Sequence, residues 1–365
     1  MALYFGLSIW ITLLLLMGLR PDSVDAVECW PNQPEDSVAR FNKLIVSVFT
    51  CVTFLALWFL TAFRSSVIGR DTQNYLEMFN AFIPGPTKVW HIETGYQYLN
   101  YFIGKITHDP HVFLIIMATL MYGGVGIFLH KYAKNPAVSL CLFFSWFFSI
   151  YTNTFRQGIA MIIALYGYQL LKNGKRIPAA LLFLLATTFH TTAFLCFSLF
   201  LDLKILRKWW VVLGVTGLCA IVSLTGVMKA VVNAVFPRYT HYFEGQYASS
   251  GWLAISFYLV TYTILYLLSV NSLEEDNKTD GIVATNFTLL MILTSFGYAV
   301  NLFERAAEYF LLVAVIELPN MLYRGKIKHF RLWLFGICMI YLAFFIATLI
   351  YRPDWTHLYP YEFWH

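Results

Sequence analysis

The chain has 365 residues, of which 59% are hydrophobic and only 12% are charged. This composition excludes a soluble enzyme or binding module, because a soluble domain of this size carries about twice that share of charged residues. The formal net charge of +5 fits the excess of Lys and Arg that membrane proteins carry on cytoplasmic loops, and we expect no nucleic-acid partner.

Apolar runs close to the length of a bilayer-spanning helix recur along the chain. They lie at 2–19, 44–63, 112–129, 136–152, 158–171, 177–203, 209–228, 252–270, 282–302, 306–323 and 330–350. We therefore predict an all-α polytopic membrane protein, with residues 1–365 as one integral membrane domain. It would have about ten transmembrane helices plus a re-entrant helical hairpin. The first run has no Lys or Arg before its apolar core, which favours an uncleaved span over a signal peptide.

Four basic clusters set the predicted orientation, because Lys and Arg concentrate in short cytoplasmic loops. The clusters are Lys131 with Lys134; Lys172, Lys175 and Arg176; Lys204, Arg207 and Lys208; and Arg324, Lys326, Lys328 and Arg331. The acidic loop 20–43, with the lone Cys29, is also assigned inside, and both termini outside.

The cytoplasmic clusters place both ends of the run 177–203 on the same face of the membrane. A single crossing helix is the alternative, and it would invert every later span. We favour a re-entrant hairpin with its apex at "TTFHTT", because polar backbone at membrane depth is tolerated where it lines a wet cavity. His190 would then lie at the tip of an interior cavity.

The polar residues that can carry chemistry gather on the predicted outer face. The long extracytoplasmic loop 64–111, expected to hold interfacial helices, contains "GRDTQNYLEMF" and "ETGYQYLNYFIGK". Arg156 lies at the end of an apolar run, and residues 137–170 contain no Asp or Glu. In "NLFERAAEYF", Arg305 and Tyr309 are four residues apart and share a helix face.

Each candidate also has a plain structural interpretation. Arg70 and Asp71 would form an interfacial ion pair and a helix cap, and Glu93 would be a solvated carboxylate. Arg305 would pair with Glu304 or Glu308, and His190 would donate to a neighbouring carbonyl. A "HDPH" stretch at 108–111 is a weak metal-binding signal, and we expect no metal.

Arginines without an adequate local partner, at a water-accessible site near the lipid surface, suit a ligand that carries phosphate. The guanidinium group binds phosphate oxygens bidentately and keeps its charge. Nearby carboxylates and His190 supply candidates for a general base.

Five segments, "GRDTQNYLEMF", "ETGYQYLN", "FRQGIAMIIALYGY", "LLATTFHTTAF" and "ERAAEYF", occur in an order that resembles the EpsG family, relatives of the Wzy polysaccharide polymerases. The resemblance extends over residues 69–310. The chain departs from the family at Thr94, where the family often has proline, and its loop 20–43 is unusually long and acidic.

The resemblance implies a GT-C-like polymerase or ligase architecture and a repeat-unit polymerase in the bacterial cytoplasmic membrane, with its active site facing the exterior. Such an enzyme moves a growing O-antigen, capsule or exopolysaccharide chain from undecaprenyl diphosphate to the non-reducing end of a new lipid-linked unit. No cofactor is implied. Besides that lipid-linked oligosaccharide and the bilayer, a chain-length regulator protein is a candidate partner.

The resemblance assigns the candidate residues to two roles. The catalytic candidates for the general base are Asp71, Glu93 and His190. The substrate-binding candidates are Arg70, Arg156, Gln157, Arg305, Tyr309 and Tyr96, with Arg156 and Arg305 clamping the diphosphate.

Two other functions fit the same features. An O-antigen-type ligase would pass the glycan to a lipid core or a protein, and it shares the donor chemistry. A flippase for lipid-linked oligosaccharides would need a similar basic cavity without catalysis. Alternating-access transporters usually have two similar halves, and no internal repeat is visible here.

Overall fold

The computed structural model describes residues 1–20, 37–87, 92–201, 203–235, 251–270, 277–324 and 327–364, together with positions 240, 243 and 273. Loop 21–36, with Cys29, and Lys326 lie outside the described residues. Within the described ranges the chain is helical, and the extended pairing is confined to an isolated bridge between Arg64 and Phe363. The expectation of an all-α protein is confirmed.

The α-helices are numbered here along the chain. In chain order they are α1 (Ala2–Gly18), α2 (Ser37–Ala62), α3 (Thr72–Phe82), α4 (Thr94–Gly104), α5 (Pro110–Tyr132), α6 (Pro136–Asn153), α7 (Phe155–Lys172), α8 (Arg176–Thr187), α9 (Trp209–Leu224), α10 (Val227–Val235), α11 (Trp252–Val270), α12 (Lys278–Phe296), α13 (Leu302–Arg324), α14 (Phe330–Tyr351) and α15 (Pro353–Thr356). Two 3₁₀ helices, Thr191–Phe200 and Lys204–Arg207, lie between α8 and α9.

Five of the described helices are long and apolar enough to cross a membrane: Arg40–Ala62, Pro110–Tyr132, Thr279–Phe296, Leu302–Arg324 and Phe330–Tyr351. A sixth span results if α9 and α10, which meet at an angle of 74°, are taken together. The protein is thus a multi-pass membrane protein. The expected number of ten spans stays a prediction, since several of the expected spans form helices of 10–17 residues.

The described residues form two compact units. The first comprises Met1–Ile162, Thr187–Thr191 and Lys328–His365, with α6 at its centre, packed against α1, α2 and α14. Aromatic side chains fill this core: the rings of Phe144 and Phe345 lie 4.8 Å apart, and those of Trp146 and Tyr341 lie 4.7 Å apart. Whether residues 1–365 act as one integral domain stays a prediction.

Helix starts in the first unit follow from local sequence. Asp109 and Asn135 each precede a proline. Proline fits the first turn of a helix, because the N–H group that it lacks would have no hydrogen-bond partner within the helix there. The side chain of Asp109 accepts a hydrogen bond from the His111 N–H, and that of Asn135 accepts one from the Val138 N–H. These N-caps begin α5 and α6.

The second unit comprises Ile163–Ala186 and Thr192–Ile327. Helix α12 is central there and packs against α9, α11 and α13. Two ion pairs join its helices: Lys172 with Glu317, and Arg324 with Asp280 at 2.7 Å. A charge within a membrane-spanning helix is tolerated when it is paired in this way.

The segment 177–203 is not one straight helix. Helix α8 ends at Thr187, and the 3₁₀ helix begins at Thr191. The ring of Phe183 lies 5.7 Å from that of Phe197, and the Arg176 guanidinium lies 5.3 Å from the Phe200 ring. The chain therefore turns back on itself near the expected apex. Placement of this hairpin inside a membrane stays a prediction.

Candidate active site

The site is built in the first unit, where the start of α4 meets the turn 187–191. The Gly95 N–H donates a hydrogen bond to the Thr188 carbonyl at 2.8 Å. A Cβ atom at position 95 would lie 2.7 Å from that carbonyl oxygen, so only glycine allows this approach. Glu93, two residues earlier, is the N-cap of α4 and faces the turn.

The Glu93 carboxylate bridges Arg156 and the turn. Its Oε2 atom accepts a hydrogen bond from Nη1 of Arg156 at 2.6 Å. Its Oε1 atom lies 3.2 Å from Nδ1 of His190 and accepts from the Thr191 N–H at 3.1 Å. The Thr191 hydroxyl lies 3.4 Å from the same oxygen. Three of the sequence-predicted residues are therefore in direct contact.

This contact corrects one interpretation and adds a partner for Arg156. Residues 137–170 contain no Asp or Glu, and the fold brings Glu93 to Arg156 from outside that stretch. Glu93 is not a solvated loop carboxylate, since its side chain is only 14% exposed. The local sequence cannot reveal a partner that lies 63 residues away.

The surroundings of Glu93 keep it ionised. Burial alone would raise the pKa of its carboxyl group. The hydrogen bond from His190, the positive charge of Arg156 and a backbone hydrogen bond outweigh burial and lower the pKa to about 2. These interactions stabilise the charged carboxylate. At neutral pH, Glu93 is therefore an anion with little tendency to accept a proton.

Tyr75 on α3 connects this cluster to Asp71. Its ring packs 4.8 Å from that of Phe155 and 5.9 Å from that of Tyr96. Burial raises the pKa of Tyr75, with the Arg156 charge opposing the shift and the Asp71 charge adding to it. The Tyr75 side chain is thus close enough to interact with both charged groups.

Arg70 and Asp71 lie at the start of α3. Asp71 is the N-cap residue, but its side chain makes no capping hydrogen bond, so the expectation of a side-chain cap is wrong. Among the described residues Asp71 forms no ion pair with Arg70, whose side chain is exposed and whose backbone N–H donates to the Asn153 side chain.

Two of the predicted binding residues in the first unit are buried. Tyr96 is fully buried, and Gln157, on the first turn of α7, is 3% exposed. Their positions support the packing around Arg156 and Tyr75, and direct contact with a substrate stays a prediction for both.

Arg64 is the residue that sequence reasoning missed. It is fully buried at the end of α2 and donates hydrogen bonds to the carbonyl groups of Thr61, Ile68 and Thr152 and to the Thr72 hydroxyl. Its guanidinium lies 5.1 Å from the Phe155 ring. Burial lowers its pKa to about 10, so it stays charged at neutral pH. An arginine at the end of the apolar run 44–63 was the available signal.

Arg64 connects three elements that carry site residues. Thr72 follows Asp71, Thr152 lies in the last turn of α6, and Phe155 precedes Arg156. Its guanidinium contacts all three. Arg64 therefore fixes the starts of α3 and α7 relative to each other.

Arg305 and Tyr309 belong to the second unit and lie in the first turns of α13. The pairing of Arg305 with Glu304 or Glu308 stays a prediction. Tyr309 is buried, and the Thr192 hydroxyl lies 3.4 Å from its hydroxyl.

The "HDPH" stretch has structural roles in the first unit. Asp109 caps α5, and the His111 ring stacks on that of Trp364 at 5.0 Å. Among the described residues, no group of three or more His, Cys, Asp or Glu side chains could hold a metal ion.

A family model matches the chain over residues 47–363. The chain belongs to the EpsG family. EpsG proteins are Wzy-like polysaccharide polymerases, and the resemblance based on residues 69–310 is thereby confirmed over a longer stretch. No curated protein and no solved structure matches the chain. This EpsG protein is therefore a multi-pass membrane protein of the polysaccharide-polymerase type.

Proposed function

We propose that the protein is a glycosyltransferase that polymerises lipid-linked oligosaccharide repeats on the outer face of the bacterial cytoplasmic membrane. It moves the growing glycan from undecaprenyl diphosphate to the non-reducing end of a new lipid-linked repeat. The contact that carries the proposal is the Glu93 bridge between Arg156 and His190. A GT-C-like arrangement of about ten spans and a re-entrant hairpin belongs to the same proposal.

Arg156 is the proposed binding group for the donor diphosphate. Its side chain is 21% exposed, so a ligand can reach it. A guanidinium has five N–H donors, and Glu93 holds the group in place through Nη1. A preorganised cation beside the leaving oxygen stabilises the negative charge that develops as the anomeric bond breaks.

His190 is the proposed general base. When the Nδ1–H group donates to the ionised Glu93, the Nε2 atom carries the lone pair that can accept a proton. Glu93 itself is a poor base, because its pKa is lowered to about 2. It acts instead by orienting the imidazole ring and by stabilising the imidazolium that forms. Asp71, which interacts with Tyr75, is the remaining alternative for the base.

The step conserves atoms and charge. The acceptor hydroxyl oxygen forms a bond to the anomeric carbon of the donor, and the bond from that carbon to the phosphate oxygen breaks. The electron pair of that bond leaves with undecaprenyl diphosphate. The hydroxyl proton passes to Nε2 of His190 and is then released to water.

The other candidates have supporting roles in this proposal. Arg70 is exposed beside Asp71 and offers a further cation for the diphosphate. Gln157 and Tyr96 are buried, and a substrate contact for either is part of the same proposal. The role of Arg305 as a second diphosphate clamp, with Tyr309 one turn along α13, stays a prediction from the sequence.

Reconstitution tests the proposal. The purified protein in vesicles with a lipid-linked repeat should produce longer glycans without an imposed gradient. A flippase would move the substrate and leave its length unchanged. Gene deletion separates the ligase: loss of a polymerase leaves single repeats on the final acceptor, whereas loss of a ligase leaves long chains on the carrier lipid.

A further inference from the structure

An open groove of about 620 Å³ lies between α2 and α5 in the first unit. Its lining includes Ser47 and Trp58 of α2 and Thr119, Gly123 and His130 of α5. Apart from a few polar groups, the lining consists of apolar side chains and glycines. None of the residues of the proposed chemistry lines this groove.

Glycines on α5 keep the groove open. A Cβ atom at Gly123 would meet no other atom within 4 Å, and one at Gly126 would lie 3.1 Å from the Phe54 ring. Trp58 donates a hydrogen bond to the Thr119 hydroxyl at 3.0 Å across the outer part of the groove. The two helices are thus joined by this hydrogen bond near one end of the groove and by the packing of Phe54 against Gly126 farther along it.

Both walls are membrane-span candidates, so the groove lies at membrane depth. From Ser47 to Trp58, α2 rises about 17 Å. This is roughly half the thickness of a hydrocarbon core of about 30 Å, which is about the depth of one leaflet. Exposed apolar side chains such as Leu55 and Ile127 form its rim, so a chain in the bilayer could enter from the side.

The outer end of the groove is connected to the candidate active site by hydrogen bonds. Tyr122, which lines the groove, accepts a hydrogen bond from the Thr61 hydroxyl at 2.9 Å. The Thr61 carbonyl accepts from Arg64, which also donates to the Thr72 hydroxyl at 3.3 Å. Thr72 follows Asp71. A series of hydrogen bonds through Thr61 and Arg64 therefore joins the groove to the start of α3, which carries Arg70 and Asp71.

We propose that this groove binds the polyprenyl tail of the lipid diphosphate next to its headgroup. The inference rests on the proposed function, because it assumes that the diphosphate is held by the arginines of the same unit. An apolar chain one leaflet deep fits the lining, and a charged headgroup does not. Lateral access lets the tail enter without leaving the membrane.

A glycine substitution fills the groove with little effect on packing elsewhere. Gly123→Leu places a side chain in open space within the groove. Gly6→Leu is the matched control, because Gly6 lies on α1 of the same unit, is exposed, and likewise has open space where a Cβ atom would be added. Both variants add the same side chain to an apolar helix.

The probe is undecaprenyl diphosphate with a photoreactive diazirine in the isoprene units nearest the diphosphate. The purified full chain is reconstituted in vesicles of phosphatidylethanolamine and phosphatidylglycerol. We expect cross-links to α2 and α5 that Gly123→Leu lowers about ten-fold, the change produced by losing about 1.4 kcal/mol of apolar contact. Gly6→Leu should label like the wild type. Excess unlabelled undecaprenyl diphosphate should compete, and added phosphatidylglycerol should not.

Equal labelling of Gly123→Leu and wild type, or equal competition by phosphatidylglycerol, would overturn the proposal and assign the groove to ordinary bilayer lipid. A chain-extension assay separates this failure from that of the proposed function. If the wild type extends chains but is labelled outside the groove, only the proposal of tail binding in the groove is rejected. If the wild type is labelled in the groove but does not extend chains, a polyprenyl-diphosphate site is supported and the polymerase function is rejected.

Discussion

The carboxylate of Glu93 lies 2.6 Å from the guanidinium of Arg156, and both side chains are largely buried. The free-energy cost of burying this charged pair is low, because Glu93 also accepts hydrogen bonds from the turn that carries His190 and Thr191. A carboxylate between a cation and an imidazole fixes both groups in orientation. Arg156 therefore enters the reaction preorganised, which is the condition under which a fixed charge stabilises a transition state effectively.

Replacement of Arg156 tests this arrangement. Arg156→Ala should abolish polymer formation while the protein remains in the membrane. Arg156→Lys should recover little activity, because a point charge cannot bond Glu93 and a phosphate with the geometry of a guanidinium fork. For the lysine variant we expect kcat to fall roughly 10²–10³-fold. The length of the glycan and its rate of extension are measured in reconstituted vesicles. Full activity of the lysine variant would show that charge alone suffices.

Sequence reasoning identified the correct class of protein and several residues of the site. Apolar runs predicted a helical membrane protein, and the polar interruption at "TTFHTT" predicted the break between α8 and the 3₁₀ helix. Both signals are local, since they depend on the hydrophobicity and length of single segments. The same reasoning selected Arg156, Glu93 and His190 as separate candidates.

The contacts among these residues could not be predicted, because they depend on tertiary packing. Nothing near Arg156 in the sequence indicates that Glu93 neutralises it. The burial of Tyr96 follows from packing against Tyr75 and not from the pattern of α4. Arg64 could not be told from an ordinary interfacial arginine at the end of a span, because its acceptors on α3 and α6 are brought to it by the fold.

Arg64 is expected to act as a positioning residue. Arg64→Met would leave the Thr61 and Thr152 carbonyl groups without their donor, at a cost of about 1–3 kcal/mol for each buried group. Arg64→Lys keeps the charge but cannot reach all four acceptors. The lysine variant should remain folded, with a lower kcat and an unchanged KM for the lipid-linked repeat. A parallel loss of thermal stability and activity in both variants, with no separate effect on kcat, would indicate a purely structural role.

The turn at residues 187–191 can be tested through Gly95. Gly95→Ala would place a methyl group 2.7 Å from the Thr188 carbonyl oxygen, so the start of α4 must move away from the turn and take Glu93 with it. Activity should fall at least as far as in Glu93→Gln. Gly6→Ala is the matched control, because its Cβ meets no neighbour and Gly6 lies outside the groove between α2 and α5, and its chain-extension rate should equal that of the wild type. A normal rate in Gly95→Ala would show that the turn tolerates displacement.

The re-entrant hairpin predicts membrane topology. A single cysteine beside Lys208 should react with a membrane-impermeant maleimide only after cells are permeabilised, like one beside Lys175. The basic residues on both sides of 177–203 favour a cytoplasmic location for each end. Labelling beside Lys208 in intact cells would instead show that the segment crosses the membrane and that the later spans are inverted.

The depressed pKa of Glu93 gives a pH dependence with a defined sign. A carboxyl group with a pKa of about 2 in the folded protein and 4.5 as its ordinary value stabilises the fold above pH 4.5. This contribution is lost as the pH falls from 4.5 towards 2. The difference in unfolding temperature between wild type and Glu93→Gln in detergent should be constant above about pH 5 and shrink below it. A constant difference down to about pH 3 would contradict the assigned shift.

Amide replacements identify the general base. His190→Gln keeps a polar contact to Glu93 but removes the group that takes the acceptor proton, so the rate should fall roughly 10²–10⁴-fold with donor binding retained. Asp71→Asn keeps the size of the carboxylate and removes its basicity, and it should retain most of the rate if His190 is the base. The rate of Glu93→Gln should fall between the rates of these two variants, because the change disturbs the orientation of His190 and Arg156 without removing the base.

Binding of undecaprenyl diphosphate to each variant separates loss of chemistry from loss of the site. A severe loss in Asp71→Asn with a normal rate in His190→Gln would move the base to α3 and limit His190 to holding the turn against Glu93.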